Sequence, residues 1–402
     1  MLRRLVGVLV ASLALLCVSG APARAQYPTA DPFYAPPADL ASLPNGAVIR
    51  SRAVQLRGSR YNLPFRSHQV LYRTTDRTGA PIATVASILH PKRRAAGPPR
   101  LISYQTAYDG LSPECRPSYS LRTGRVLLQA TEAITLALLL ERGWTVVTAD
   151  YEGPNDDWGV ATTSARGVLD GVRAAERFAP AGLDGERTQV GLMGYSGGGN
   201  ATAWANEEAA AYAPELRIAG SVQGGVAPDL AHLVRTFDGT LYAGVAFAGL
   251  AGISRAYPEL DVDRHLNGTG QRVFKTLRQR QWSCIENFVL RWPGARIDAL
   301  TREPGLMDRP EVQAVAAQQG LGRTVPTTPT MWLATTVDEM KNYGLVRAMA
   351  GRYCRAGVPQ RFISTDRVEH ILMFSWMQFL GADWLAERFA GKPPRSDCAK
   401  IG

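Results

Sequence analysis

A serine attacks a carbonyl carbon only when a base takes its proton and a carboxylate orients that base. Gly194-Tyr195-Ser196-Gly197-Gly198, followed by Gly199, sets a serine between glycines in the pattern G-x-S-x-G. A serine on a turn this sharp has strained backbone angles, so its flanking positions can carry almost no side chain, and Gly194 and Gly198 meet that demand. Three fixed positions in five recur by chance, so the flanks carry the weight. Thr188–Met193 reads as a short buried strand and Ala201–Ala211 as a helix. Strand, turn and helix together lift the hydroxyl above a sheet, with a helix N-terminus favouring negative charge that develops beside it. The competing reading is a Gly-rich turn that binds phosphate or nothing, and these flanks disfavour it.

The base must come from five histidines. When the nucleophile sits on such a turn, the partners follow in the order Ser, Asp or Glu, His, at the ends of later strands. His68 and His90 precede the turn, and His232 and His265 lie in a stretch without strands. His370 alone falls between the last expected strand and the last helix. The acid is expected at Asp338, the first carboxylate past a strand end, with the adjacent Glu339 as substitute. Asp366 lies too near His370 in the chain to hold it from a separate strand end. The oxyanion donors are expected to be the backbone N–H of Gly197 and one from the turn Tyr108-Asp109-Gly110, each worth roughly 3 kcal/mol in the transition state.

These residues need a scaffold. Val48–Val54, Gln69–Arg73 and Ala83–Leu89 are β-rich and separated by turn signals such as Asp76-Arg77-Thr78-Gly79, which reads as an antiparallel start to a sheet. Gln26–Asn45, rich in Pro and Ala, reads as an extended arm. From Arg100 onward strands alternate with helices: strands at Arg100–Tyr104, Trp144–Ala149, Arg217–Val222, Pro329–Ala334 and Arg361–Ser364, helices at Ala130–Arg142, Val168–Phe178, Asn342–Cys354 and Ile371–Phe389. Such alternation predicts an α/β fold, a mostly parallel sheet with helices on both faces. Between residues 229 and 325 the alternation stops. Helical stretches at Leu230–Thr236, Leu241–Ala256, Gly270–Arg278, Ile285–Leu290 and Pro310–Gln318 read as an inserted helical cap over the site.

The chain has 402 residues, 46% of them hydrophobic, enough for a large core. Residues 1–25 read as a signal peptide: Arg3-Arg4, the apolar run Leu5–Val18, then Ala23-Arg24-Ala25 as a cleavage site. The mature domain is then 26–402, exported and soluble. Cys17 is no lipoprotein cysteine, because Leu16 precedes it where a small residue is needed. No later apolar run spans a bilayer; the best, Leu241–Ile253, falls short of the ~20 residues a crossing needs. Removing Arg3, Arg4 and Arg24 from a formal net charge of +10 leaves +7. The basic cluster Lys92-Arg93-Arg94 reads as a solvated loop, and no nucleic-acid partner is expected. Cys115, Cys284, Cys354 and Cys398 remain after cleavage, an even number that in an exported chain implies two disulfides with three possible pairings. None lies in a C-x-x-C, and no histidine stands at metal-ligand spacing, so zinc is set aside.

Gly194–Gly198, Asp150-Tyr151-Glu152-Gly153, Leu169-Asp170-Gly171, Tyr257-Pro258-Glu259-Leu260 and the late Asp338 and His370 together resemble the secretory lipase family, the Candida lipase A-like enzymes, over essentially the whole mature chain. The resemblance implies an α/β-hydrolase core with an inserted cap, hydrolysis of fatty acyl esters including triacylglycerols, and no cofactor. It puts the triad on Ser196, Asp338 and His370, the second oxyanion donor on Asp109 or Gly110, and the disulfides at Cys115–Cys284 and Cys354–Cys398. Tyr195, Phe247 and Leu250 are expected to touch substrate, a lipid or other ester that can be met at a lipid–water interface. Two other readings share these residues. A peptidase or polyester depolymerase would use the same serine chemistry, and a hydrolase-fold protein could bind lipid without turnover.

Overall fold

The computed structural model of the chain describes residues 25–279, 283–289, 291–340 and 342–401. Apart from Ala25, the expected signal peptide lies outside them. The strands are β1 (Val48–Val54), β2 (Arg57–Gly58), β3 (Tyr61–Asn62), β4 (Arg66–Thr75), β5 (Pro81–His90), β6 (Arg100–Gln105), β7 (Thr145–Ala149), β8 (Gln189–Tyr195), β9 (Arg217–Gly224), β10 (Thr330–Thr335) and β11 (Gln360–Thr365). The helices are α1 (Pro117–Thr123), α2 (Leu127–Glu141), α3 (Ala161–Arg177), α4 (Gly197–Tyr212), α5 (Leu230–Phe237), α6 (Ala243–Ala256), α7 (Val262–His265), α8 (Gly268–Arg278), α9 (Ile285–Phe288), α10 (Pro310–Gln319), α11 (Tyr343–Arg355), α12 (His370–Phe389) and α13 (Cys398–Ile401).

Nine strands form one sheet in the order β1-β4-β5-β7-β6-β8-β9-β10-β11, while β2 and β3 make a separate two-stranded ribbon. Pairing is antiparallel from β1 to β7 and parallel from β7 to β11. This is an α/β-hydrolase fold. Its central strand β8 is buried on both faces, as its near-continuous apolar sequence requires. Val190 and Leu192 pack with Val168, Val172 and Ala201 of α3 and α4. Met193 and Tyr195, one step out of phase, pack with Leu136, Met373 and Leu385 of α2 and α12. A sheet clad on both sides exposes only its strand ends, and the site stands at those ends.

The described residues between β9 and β10 contribute no strand to the sheet. Helices α5 to α10 bury an apolar cluster of their own, with Phe247, Phe274, Phe288 and Leu300 inside it. The structure joins Cys115, in the turn after β6, to Cys284 just before α9, and Cys354 in α11 to Cys398 at the start of α13.

Three local differences from the sequence reading have physical causes. The N-terminal arm is not simply extended: Pro32–Tyr34 and Leu40–Ser42 form 3-10 turns, because Phe33, Tyr34 and Leu40 find an apolar seat on Leu71, Ala83 and Val85. Helix α1 was not anticipated, although Pro117 opens it and Gly124, in the left-handed conformation, closes it. Helix α3 starts at Ala161 rather than Val168, because Thr163, Ser164 and Gly167 weaken the apolar period at its start.

Candidate active site

The turn between β8 and α4 holds Ser196 at φ 56° and ψ −124°, a region that residues with side chains rarely occupy. Its N–H donates to Gly224 O at 2.9 Å, which ties the turn to the end of β9. The flanking glycines are sterically required. A Cβ on Gly194 would stand 2.2 Å from Gly198 O, and one on Gly198 would stand 2.0 Å from Gln105 O.

His370 opens α12, one residue earlier in that helix than the sequence suggests. Its Nε2 lies 2.9 Å from Ser196 Oγ and its Nδ1 lies 3.2 Å from Asp338 Oδ2. Asp338 follows β10 and is itself held by the Met340 N–H, which donates to Oδ1 at 2.8 Å. Glu339 turns elsewhere and accepts the backbone N–H of His370 at 3.3 Å. The Tyr195 hydroxyl donates to His370 O at 2.5 Å. Gly225, at positive φ, leaves the imidazole room: a Cβ there would come within 2.6 Å of His370 Cε1. His370 and Asp338 are both buried.

Across the cleft, Asp109 sits at φ 30°, again on the sparsely populated side of backbone space. Trp158 Nε1 donates to its Oδ1 at 3.0 Å. Burial pushes the Asp109 carboxyl up to about 6, against the opposing pull of the Trp158 bond and of His370. Among the described residues no acceptor meets the N–H of Asp109 or of Gly197. Gly110, the alternative donor, is engaged in a backbone bridge with Cys284 and lies against Cys115. The turn before Asp109 is anchored from α2: both carboxylate oxygens of Glu132 accept the Ala107 N–H, at 3.0 and 3.1 Å, and Oε1 accepts the Tyr104 hydroxyl. Burial raises the Glu132 carboxyl to about 8.

Ser196 and His370 open into a cavity of about 240 Å³ whose wall is mostly aliphatic and aromatic, contributed by α4, α5, α6 and α10. Leu250 lines it. Phe247, expected to do the same, points away, is fully buried and packs beside Trp292. Tyr195 also misses the cavity: strand alternation sends its ring behind His370, against Phe374. The sequence reading passed over Trp158, Trp204, Gln319 and Glu132. Glu132 had a usable signal, as the only charged residue between Arg125 and Glu141 in an otherwise apolar helix. Trp158 had none.

Among the described residues no group of His, Cys, Asp and Glu could hold a metal ion. No single helix there is long and apolar enough to cross a membrane. The arrangement can carry a proton from a hydroxyl to an imidazole and hold an anion between two N–H groups, beside an apolar chamber.

A family model described as secretory lipase matches residues 120–397. A probable inactive lipase of Mycobacterium tuberculosis is 35% identical over 92% of this chain and 84% of its own. A secreted triacylglycerol lipase of Malassezia globosa is 31% identical over 86% of this chain and 75% of its own. The crystal structure of Candida antarctica lipase A in its closed state superposes with a TM-score of 0.86 at 28% identity, covering 94% of this chain and 92% of that one.

Proposed function

Because the chain belongs to the secretory lipase family and is a carboxylic ester hydrolase, we propose that Ser196, His370 and Asp338 form its catalytic triad and that fatty acyl esters, triacylglycerols included, are its substrates. The observation that carries this is the chain of contacts from Ser196 Oγ to His370 Nε2 and from Nδ1 to Asp338. Ser196 Oγ attacks the acyl carbon as its proton passes to Nε2, and the carbonyl oxygen becomes an anion. The N–H groups of Gly197 and Asp109 face that anion, and Asp338 stabilises the imidazolium. Nε2 then gives its proton to the departing alcohol. Water, deprotonated by the same nitrogen, attacks the acyl-enzyme and releases the acid and free Ser196.

We assign the acyl chain to the cavity, with helices α5 to α10 as the cap over it and Leu250 as one of its contacts. An aliphatic wall suits this, since each methylene taken out of water contributes about 0.8 kcal/mol. The lipid–water interface is the setting we propose, and the surface around the cavity mouth supports it. Ile371, Leu372, Trp376, Phe379 and Leu380 are solvent-exposed along α12, and Leu127 and Ile134 along α2. The two helices run side by side: Leu128 and Ile371 both line the cavity at their N-terminal ends, and Arg142 pairs with Asp383 farther along. A contiguous exposed apolar face marks an interaction surface. Export through the residue 1–25 signal fits the two disulfides.

The name of the mycobacterial relative raises the reading of lipid binding without turnover, and one experiment separates the two. Purified protein should hydrolyse 4-nitrophenyl esters, and Ser196→Ala should lose that activity by several powers of ten while keeping the wild-type melting temperature. Equal rates for the two proteins would remove Ser196 from the reaction.

A further inference from the structure

The cavity that meets Ser196 and a second cavity share one side chain in their linings. Trp204 borders both. It stands on α4 eight residues beyond Ser196, so about 12 Å along the helix axis at 1.5 Å per residue. The side chain is buried, and its indole N–H donates to Gln319 O at 3.0 Å. Gln319, the last residue of α10, lines the inner cavity and holds the indole. Its Nε2 donates to the Tyr257 hydroxyl and to Val315 O, both at 2.9 Å, and its Oε1 accepts the Ala161 N–H at 3.0 Å. The outer cavity holds about 530 Å³ and is polar, with Arg77, Arg166, Arg323 and Glu208 on its walls. An alkyl chain is therefore welcome on one side of the indole and poorly served on the other.

We propose that Trp204, clamped by Gln319, is the floor of the acyl chamber and sets the longest acyl chain the enzyme turns over efficiently. The proposal rests on the ester-hydrolase reading above and adds its length-determining residue. The physical cause is volume. A rigid, bonded indole cannot yield to a growing chain, so methylenes beyond it must fold back or stay in water. A smaller residue at 204 leaves room for several more methylenes before the polar outer cavity is reached. A Trp204 that merely packed α4 against α10 would influence stability and leave chain-length preference alone.

The test uses the full chain with Trp204→Phe, Trp204→Leu and Trp204→Ala, and kcat/KM on 4-nitrophenyl butanoate, octanoate and hexadecanoate. The readout is the ratio of hexadecanoate to butanoate for each protein. We expect it to rise from wild type through Phe and Leu to Ala by at least about tenfold, since each added buried methylene is worth about a factor of four and two of them suffice. Trp204→Phe keeps most of the volume and Trp204→Leu keeps the apolar character, so the series remains readable where the alanine protein does not fold. A flat ratio across the folded variants, with ester turnover intact, overturns the floor assignment and leaves the hydrolase reading standing. A wild-type protein that hydrolyses none of the esters overturns both.

Discussion

Asp109 occupies the space that a side chain on residue 197 would need: a Cβ built on Gly197 would lie 1.9 Å from Asp109 Oδ1. The two residues proposed to bind the oxyanion are thus seated against each other, and the fit depends on glycine at 197. Gly197→Ala should push the Asp109 turn away and reduce kcat by about 10²–10³, the range seen when one oxyanion donor is lost. KM for a short ester should move far less. A kcat within threefold of wild type would show that the turn is free to give way.

Asp338 and Glu339 meet different atoms of His370, the ring and the backbone respectively. Asp338→Asn should therefore lower kcat by roughly 10⁴, in line with triads whose carboxylate is neutralised. Glu339→Gln, which retains an acceptor for the His370 N–H, should change it less than tenfold. The reverse ranking in steady-state assays would transfer the acid role to Glu339.

Gly249, within α6, lines the cavity and has nothing within 4 Å of where its Cβ would be. Glycine inside a helix is less stable than alanine by roughly 0.5–1 kcal/mol, so Gly249→Ala should raise the melting temperature slightly. Gly249→Leu should fill the chamber and cut hexadecanoate ester turnover more than butanoate turnover. Equal loss on both esters would place residue 249 outside the acyl path.

Glu132 makes stability depend on pH in an unusual direction. Its carboxyl is raised in the fold from 4.5 to about 8 by burial, so the folded protein holds the proton more tightly than the unfolded chain. That contribution is complete below about pH 4.5 and disappears as pH rises through about 8. Asp150, raised to about 7 by burial, acts in the same sense. Melting temperatures should fall between pH 5 and pH 8.5, and Glu132→Gln, which cannot ionise, should flatten that slope. Parallel curves for the two proteins would show that Glu132 does not govern it.

The exposed face of α12 should matter only at a lipid surface. Trp376→Ser with Phe379→Ser should reduce hydrolysis of emulsified triacylglycerol several-fold and spare soluble butanoate ester hydrolysis. Both side chains are exposed, 39% and 56%, so folding should be little affected. Loss of soluble-ester activity to the same degree would point to damage in the fold.

Much of this protein is a matter of order along the chain. The glycines around Ser196, the late Asp338 and His370 could be picked out because the motif and chain order limit where the partners of a serine on such a turn can lie, and the structure brings the three side chains together. The sheet was legible because strands buried on both faces are nearly continuous apolar runs, and β8 is one after Gln189. The helices α5 to α10 were legible as helices expected to cap the site, but not residue by residue. Helix α6 is apolar on nearly every side, so its sequence does not say which side chains meet the cavity and which meet their neighbours. Leu250 and Phe247 are three residues apart, and only Leu250 lines the cavity.

The sequence by itself determined which residue types could do chemistry, their order, and the alternation that builds a scaffold for them. Each of these is a local or periodic property that a single chain segment carries. The tertiary structure alone decided that the Asp109 carboxyl rests on Gly197, that Glu132 holds the turn carrying Asp109, and that the Trp204 indole, bonded to Gln319, borders two cavities. Those contacts join segments tens to more than a hundred residues apart. They exist only because close packing leaves each side chain one place to go, and no pattern along the chain records where that place is.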